Sequence, residues 1–197
     1  KEINGVRIVG IDVPGFGVPT HAEAKDVLAG AMLEYARGEI EAGPVARPVQ
    51  SESQKDKPTV ALVGEMFPVD AITIDRLLDS LGGAAGPVVP TREWRELYGA
   101  LDCKAAAMIH PFYAATARQF RAAGRPLIGS APVGVGGTAA WLEAMGRFLC
   151  ADKASIEAAV ATQKSALRAA LDSNPIDARI TLSGYEGSEL LVARLLI

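Results

Sequence analysis

The sequence predicts an α/β fold, a parallel sheet covered by helices on both faces. Three observations predict it. Between residues 58 and 150, short apolar runs alternate with amphipathic segments. The runs, such as TVALVG at 59–64, lack the polar alternation of a half-exposed strand, so both of their faces are buried. Apolar residues make up 49% of the chain but aromatics only 6%, so the core must be built of Leu, Val, Ile and Ala.

The elements follow in order. Residues 6–13 read as a strand that runs into a Pro/Gly loop. A helix opens at Thr20 and extends to about Arg37; Thr20 is a good N-cap, and Glu23 three residues on completes a capping box. Residues 41–57 are rich in Pro, Ser, Gln and charge, without apolar periodicity, and read as an exposed linker. A strand at 59–64 and a helix at 69–81 come next, the helix carrying Ile72, Leu77, Leu78 and Leu81. Strands at 84–89, 105–109 and 126–129 alternate with helices at 92–100 (Trp94, Leu97, Tyr98), 112–123 and 137–149 (Trp141, Leu142, Met145, Phe148). Residues 153–171 form one long helix. A strand at 179–183 and a helix at 188–197 close the chain; the helix stops on Leu195, Leu196 and Ile197 without a polar cap. The resulting division is 1–42, the end of an N-terminal domain (strand, loop, helix); 43–57, linker; 58–150, a Rossmann-like α/β domain; 151–178, a connecting helix; and 179–197, the first β–α unit of a third domain. The chain reads as a piece of a longer protein. Its apolar last helix should dock on the 58–150 domain or on another copy, because alone it exposes a large apolar patch.

Composition narrows the function. The formal net charge is −3, from 20 basic and 23 acidic residues, and no basic stripe stands out, which argues against nucleic acid as a partner. No apolar run approaches the about 20 residues of a membrane helix, and residues 1–10 do not form a signal peptide. Two cysteines are too few for a disulfide framework, which fits a reducing cytoplasm. Cys103 and Cys150 stand apart, without a C-x-x-C partner or a nearby His, and read as structural thiols and not metal ligands. A dinucleotide site needs G-x-G-x-x-G directly after the first strand, yet that turn reads Gly64-Glu65-Met66-Phe67-Pro68, with bulky residues where backbone must approach a pyrophosphate. The Gly134–Thr138 cluster follows the last strand and reads as a flexible turn. Neither G-x-x-x-x-G-K-[ST] nor G-x-S-x-G occurs.

The loops at the carboxyl ends of the strands are the best place for a ligand. They carry Glu65, Met66 and Phe67, then His110, Pro111, Phe112 and Tyr113, then Ser130 to Val133. The set is apolar and aromatic, which suits a flat hydrophobic ligand or a protein interface better than a phosphate. Phe67, His110, Phe112, Tyr113 and Pro132 should lie on one edge of the sheet. His110 precedes Pro111 and is held extended, so a strand-terminal His bonded to a neighbouring loop is the plain structural reading. His21 and Lys25 share a face of the first helix, where a solvated basic pair is the corresponding reading.

The segment VGIDVPGFGVPTHAEAKDVL at 9–28, with GEMFP at 64–68, HPFY at 110–113, GSAPVG at 129–134 and TLSGYEGSELLVARLLI at 181–197, resembles the Y-type subunits of chlorophyllide a reductases, nitrogenase-like, dark-operating reductases of bacteriochlorophyll synthesis. The resemblance runs over nearly the whole chain outside 43–57. It implies subunits of three Rossmann-like domains, two related subunits (Y and Z type) forming the catalytic component, and a 4Fe-4S cluster between them. It further implies that the cluster cysteines fall before Lys1, that an ATP-dependent iron–sulfur protein (X type) binds the ATP and supplies electrons, and that chlorophyllide a is reduced at the C7=C8 bond of ring B. The loop at 13–20 matches the one that follows a cluster cysteine in relatives, where the next helix looks toward the substrate cavity. Phe16, His21 and Lys25 thereby become cavity candidates beside Glu65, Phe67, His110, Phe112 and Tyr113. The resemblance gives no proton donor, and it implies that this stretch alone has no turnover. Two alternatives stay open: a nitrogenase-like cofactor-assembly scaffold, and a non-catalytic small-molecule-binding α/β module.

Overall fold

A computed structural model of the protein describes residues 2–3, 6–13, 17–64, 70–184 and 188–196. Two short strands, β1 (Glu2–Ile3) and β2 (Val6–Arg7), pair antiparallel. The central sheet contains β3 (Thr59–Val63), β4 (Ala84–Val89), β5 (Ala105–Met108) and β6 (Leu127–Gly129), in the order β4-β3-β5-β6, with every neighbouring pair parallel.

The side-chain alternation of the strands sorts the helices. Val60 and Leu62 of β3 and Ala105 and Ala107 of β5 face one core. It is closed by α2 (Ala71–Asp79), α5 (Gly134–Phe148), α6 (Lys153–Ser173) and α7 (Ser188–Leu196), through Ile74, Leu78, Trp141, Leu142, Met145, Ala159 and Leu191. Ala61, Val63 and Ala106 face the other core, closed by α1 (His21–Ala42), α3 (Trp94–Asp102) and α4 (Ala114–Ala122), through Leu33, Ala36, Leu97, Leu101 and Phe120. The α/β reading with helices on both faces therefore holds. The helix ahead of the 43–57 segment shares a core with the sheet after it.

Several elements differ from expectation. The strand expected at 6–13 pairs only at Val6–Arg7, because no second strand lies beside residues 8–13 to accept a ladder. Among the described residues of 179–183 there is no strand at all; Ile180 and Leu182 are exposed there, with no neighbouring strand. In α2, Ile72 is exposed and Ile74 buried: capping by Asp70 starts the helix at Ala71 and sets the inward stripe at 74, 77 and 78. The glycine cluster at 134–138 is the first turn of α5 and not a free turn. Gly134 has φ +71, and a Cβ there would stand 3.0 Å from the Arg194 carbonyl, so only glycine lets α7 come this close. The docking expected of the last helix occurs on the sheet domain, with Leu191 buried in its core.

Caps and clamps are local. Asp70 caps α2 and Asp152 caps α6; side-chain hydrogen bonds from Thr73 and Ser155 respectively hold both carboxyls below the usual carboxylate range. Thr20 caps α1 by accepting from the Glu23 amide at 3.1 Å, while its hydroxyl donates to the Glu23 carboxylate, 3.2 Å away. The 43–57 segment is not a free spacer. Arg47 pairs with Asp102 and lies over the Tyr98 ring, and the Gln54 amide donates to the Ala85 carbonyl at 2.7 Å. The Ala85 amide in turn donates to the Asp75 carboxylate at 2.7 Å. Both backbone groups of the edge strand are thus taken at this residue, and Pro87 two positions on has no amide hydrogen.

Two carboxylates of α1 fix it to the domain. Glu39 accepts from the Trp94 indole at 2.9 Å and from the Tyr98 hydroxyl at 2.6 Å. Asp26 is buried and accepts from the amides of Ala115 and Thr116 at 2.7 and 2.8 Å. Those are orphan donors of the first turn of α4, whose own cap residue, Tyr113, gives no side-chain cap bond. Next to this contact, a Cβ on Gly30 would stand 3.0 Å from the Ala115 Cβ, so the helices cross at close range. Replacing Asp26 with Ala leaves two buried amides unpaired, and should cost about 2 kcal/mol or more in urea unfolding. Asp26→Asn, which keeps one acceptor, should cost less; equal stability of all three proteins would show that the contact is idle.

Candidate functional site

The register brings the carboxyl ends of the strands to one edge: Val63 stands opposite both Val89 and Met108, and Met108 opposite Gly129. Strand β4 lies on one side of β3 and β5 on the other, so the winding reverses between β3 and β5. Ligands of open α/β sheets bind in the crevice at such a point. There the Val63 carbonyl accepts from the amides of Ile109 and His110, at 2.8 and 3.2 Å, and the Gly64 amide donates to the Val89 carbonyl at 2.8 Å. Gly64 has φ +97, and any Cβ on it would overlap His110.

His110 is buried at this crossing. Its Nδ1 accepts from the Phe112 amide at 3.1 Å, which places the proton of a neutral ring on Nε2. The rings of Phe112 and Tyr113 stand 5.5 and 5.2 Å from it. His110 and Tyr113 line a cavity of about 720 Å³ over the ends of β5 and β6, floored by Met108, Ile109, Ala131 and Leu191. Phe112 is half-buried against His110 outside that lining. His21 is exposed and Lys25 half-buried on α1, and neither lines the cavity. Phe16, Glu65 and Phe67 lie outside the described residues. A larger cleft, of about 1180 Å³, runs along β4 and carries both signs of charge, Arg47 and Arg92 with Asp70, Glu96 and Asp102. Its mixed-charge lining suits a flat apolar ligand less well than the floor of the cavity at the strand ends.

Ser130, one of the strand-end loop residues, also lines the cavity; sequence reasoning missed Arg118, Arg121 and Arg194, which line it too. The available signal was Arg118-Gln119-Phe120-Arg121, two cations three residues apart on the helix after the His110 loop. Arg194 could not be placed without the docking of α7.

Among the described residues no three His, Cys, Asp or Glu side chains converge to hold a metal. Cys103 is buried, and burial pushes its thiol up from the usual 9.0 to about 11, so it is a neutral thiol and not a ready ligand. Cys150 is exposed.

A family model described as nitrogenase component 1 type oxidoreductase matches residues 1–197. The chain is similar to the chlorophyllide reductase 52.5 kDa chain of Cereibacter sphaeroides, at 68% identity over 100% of its own length and 39% of that relative. It is 62% identical to the chain of the same name from Rhodobacter capsulatus, with the same coverage. The chain thus spans about 39% of the length of the curated relatives that it matches.

Two outcomes follow from this geometry. Gly64→Ala should cost about 3 kcal/mol or more, because strain at positive φ adds to the overlap with His110, and thermal unfolding measures it. An unchanged midpoint would mean that the strand ends are less tightly joined. At neutral pH a thiol reagent should modify Cys150 fast and Cys103 only on unfolding. The stabilising effect of the buried neutral thiol is complete below about pH 9 and is lost as pH rises through about 11, so stability should fall across that window. In a Cys103→Ala protein that part of the fall should vanish.

Proposed function

Because the chain belongs to the nitrogenase component 1 type oxidoreductase family, we propose that it is part of the catalytic component of a chlorophyllide a reductase. The observation that carries this reading is the 68% and 62% identity, over the whole chain, to two proteins named as chlorophyllide reductase chains. In this reading the complex reduces the C7=C8 double bond of ring B of chlorophyllide a by two electrons and two protons, a step of bacteriochlorophyll biosynthesis. The partners are a second, Z-type catalytic subunit and an ATP-dependent, X-type iron–sulfur protein, which alone binds ATP.

The described residues do not fit a 4Fe-4S cluster. Cys103 is a buried neutral thiol beneath β4, Cys150 is exposed beyond α5, and no third ligand accompanies either. The cluster ligands therefore belong to residues outside this stretch, and α1 belongs to the same domain as residues 58–150, whose core it shares. No helix of the described residues is long and apolar enough to cross a membrane, and we place the complex in the cytoplasm.

The part assigned to this chain is to bind and shield. The cavity at the ends of β5 and β6 offers an apolar floor for a flat ring system, and His110 and Tyr113 form its wall. Such a wall excludes water and strengthens every polar contact aimed at the bound ligand. The Phe112 amide keeps the His110 ring fixed in orientation.

Reconstitution of the full-length protein with its two partners, ATP and a reductant, followed by the absorption of chlorophyllide a, tests the function. The expected result is ATP-dependent conversion to the ring B-reduced pigment; no conversion by a correctly assembled complex overturns the reading. Ser130 is an exposed residue at the mouth of the cavity. Ser130→Trp should therefore raise KM about tenfold with a smaller change in kcat. An unchanged KM would move the pigment elsewhere.

A further inference from the structure

The cavity over β5 and β6 holds a concentration of positive charge that the fold itself does not use. Arg118 and Arg121 stand three apart on α4 and so share a face, and Arg194 reaches the same cavity from α7. Among the described residues no Asp or Glu lines it. Elsewhere Arg37 pairs with Glu41, Arg47 pairs with Asp102, and Arg125 donates to the Leu101 carbonyl at 2.8 Å; Arg76, Arg95, Arg168 and Arg179 are unpaired too among the described residues, but none of them lines the apolar cavity. Among the described residues the guanidinium groups of Arg118 and Arg121 have neither an ion pair nor a hydrogen bond. Among the described residues the Arg194 guanidinium bonds only the Ser130 hydroxyl, to which it donates at 3.4 Å. The whole chain carries a net −3, so three unneutralised cations around one apolar floor are not a general property of its surface.

Like charges gathered over low-dielectric walls repel one another and focus a positive potential into the cleft. An anion relieves that repulsion, and guanidinium groups match a carboxylate in geometry as well as charge. The floor of Met108, Ile109 and Leu191 calls for an apolar body.

We propose that Arg118, Arg121 and Arg194 form a carboxylate-binding rim that holds the acidic end of a flat apolar ligand lying on this floor. The rim deepens the cavity assignment made above and rests on that cavity being a ligand site. Docking of α7 is part of the device: burial of Leu191 is what carries Arg194 to the rim.

The test is a fluorescence titration of the full-length protein with 1-pyrenebutyrate and with the uncharged 1-pyrenebutanol. The acid should bind about tenfold more tightly than the alcohol. The double variant Arg118→Ala, Arg121→Ala, and separately Arg194→Ala, should weaken the acid about tenfold and leave the alcohol within about twofold. All three side chains are exposed, so the thermal midpoint should stay unchanged and serve as the folding control. Equal binding of the two probes, an acid affinity untouched by the variants, or no binding of either probe would each overturn the rim. The two readings fail separately: arginine-dependent binding of pyrenebutyrate without turnover of chlorophyllide a keeps the rim and removes the reductase. Turnover with silent arginine variants does the reverse.

Discussion

The carboxylate of Asp26 at the first turn of α4 is the contact on which the candidate site depends. Helix α4 begins immediately after His110, Phe112 and Tyr113, and it carries Arg118 and Arg121. Its start is not secured by its own sequence, because Tyr113 offers no cap. A residue nearly ninety positions upstream supplies the two acceptors instead. The direction of α4, and with it one wall of the cavity, is therefore set by a helix that the chain lays down before any strand of the central sheet. The close crossing at Gly30 and the Glu39 clamp on Trp94 and Tyr98 hold that helix in line.

The sheet itself is economical at its centre. Strand β5 presents Ala105, Ala106 and Ala107 to both layers, so the helices on either side sit close to the backbone. The larger side chains are supplied by the helices, Trp141 and Met145 on one face and Leu33 and Phe120 on the other. This explains how a chain poor in aromatics fills two cores. It also explains why the strand ends come near enough for Gly64 and His110 to touch.

Much of the fold was legible because its signals are local. Apolar runs of strand length and amphipathic stretches of helix length placed the strands and helices between 59 and 149 within a few residues, and the long helix read at 153–171 is α6. The expectation of strands at 6–13 and 179–183 rested on β propensity, which cannot supply a pairing partner. Ile72 was assigned inward with Leu77, Leu78 and Leu81, but the stripe of spacing i, i+3, i+4, i+7 that ends on those three residues begins at Ile74 and leaves Ile72 on the opposite face. Of the site, the cluster of His110, Phe112 and Tyr113 at a strand end was legible from topology. Asp26 and Arg194 were not, since the role of each is created by a contact between distant helices, which no window of sequence contains.

The treatment of β4 has a consequence for how this molecule can meet others. An unpaired strand ordinarily invites a neighbour to extend the sheet. Here Asp75 and Gln54 occupy both backbone groups of Ala85, and Pro87 has no donor to offer. A strand laid alongside would find its ladder interrupted at successive outward positions, so growth of the sheet across this border is blocked. Association across this border must then proceed through helix surfaces and loops, whose side chains discriminate between partners far more finely than a backbone ladder does. The same two side chains that finish this edge thus keep it, in a nascent chain with its helices still incomplete, from pairing with the same edge of a copy.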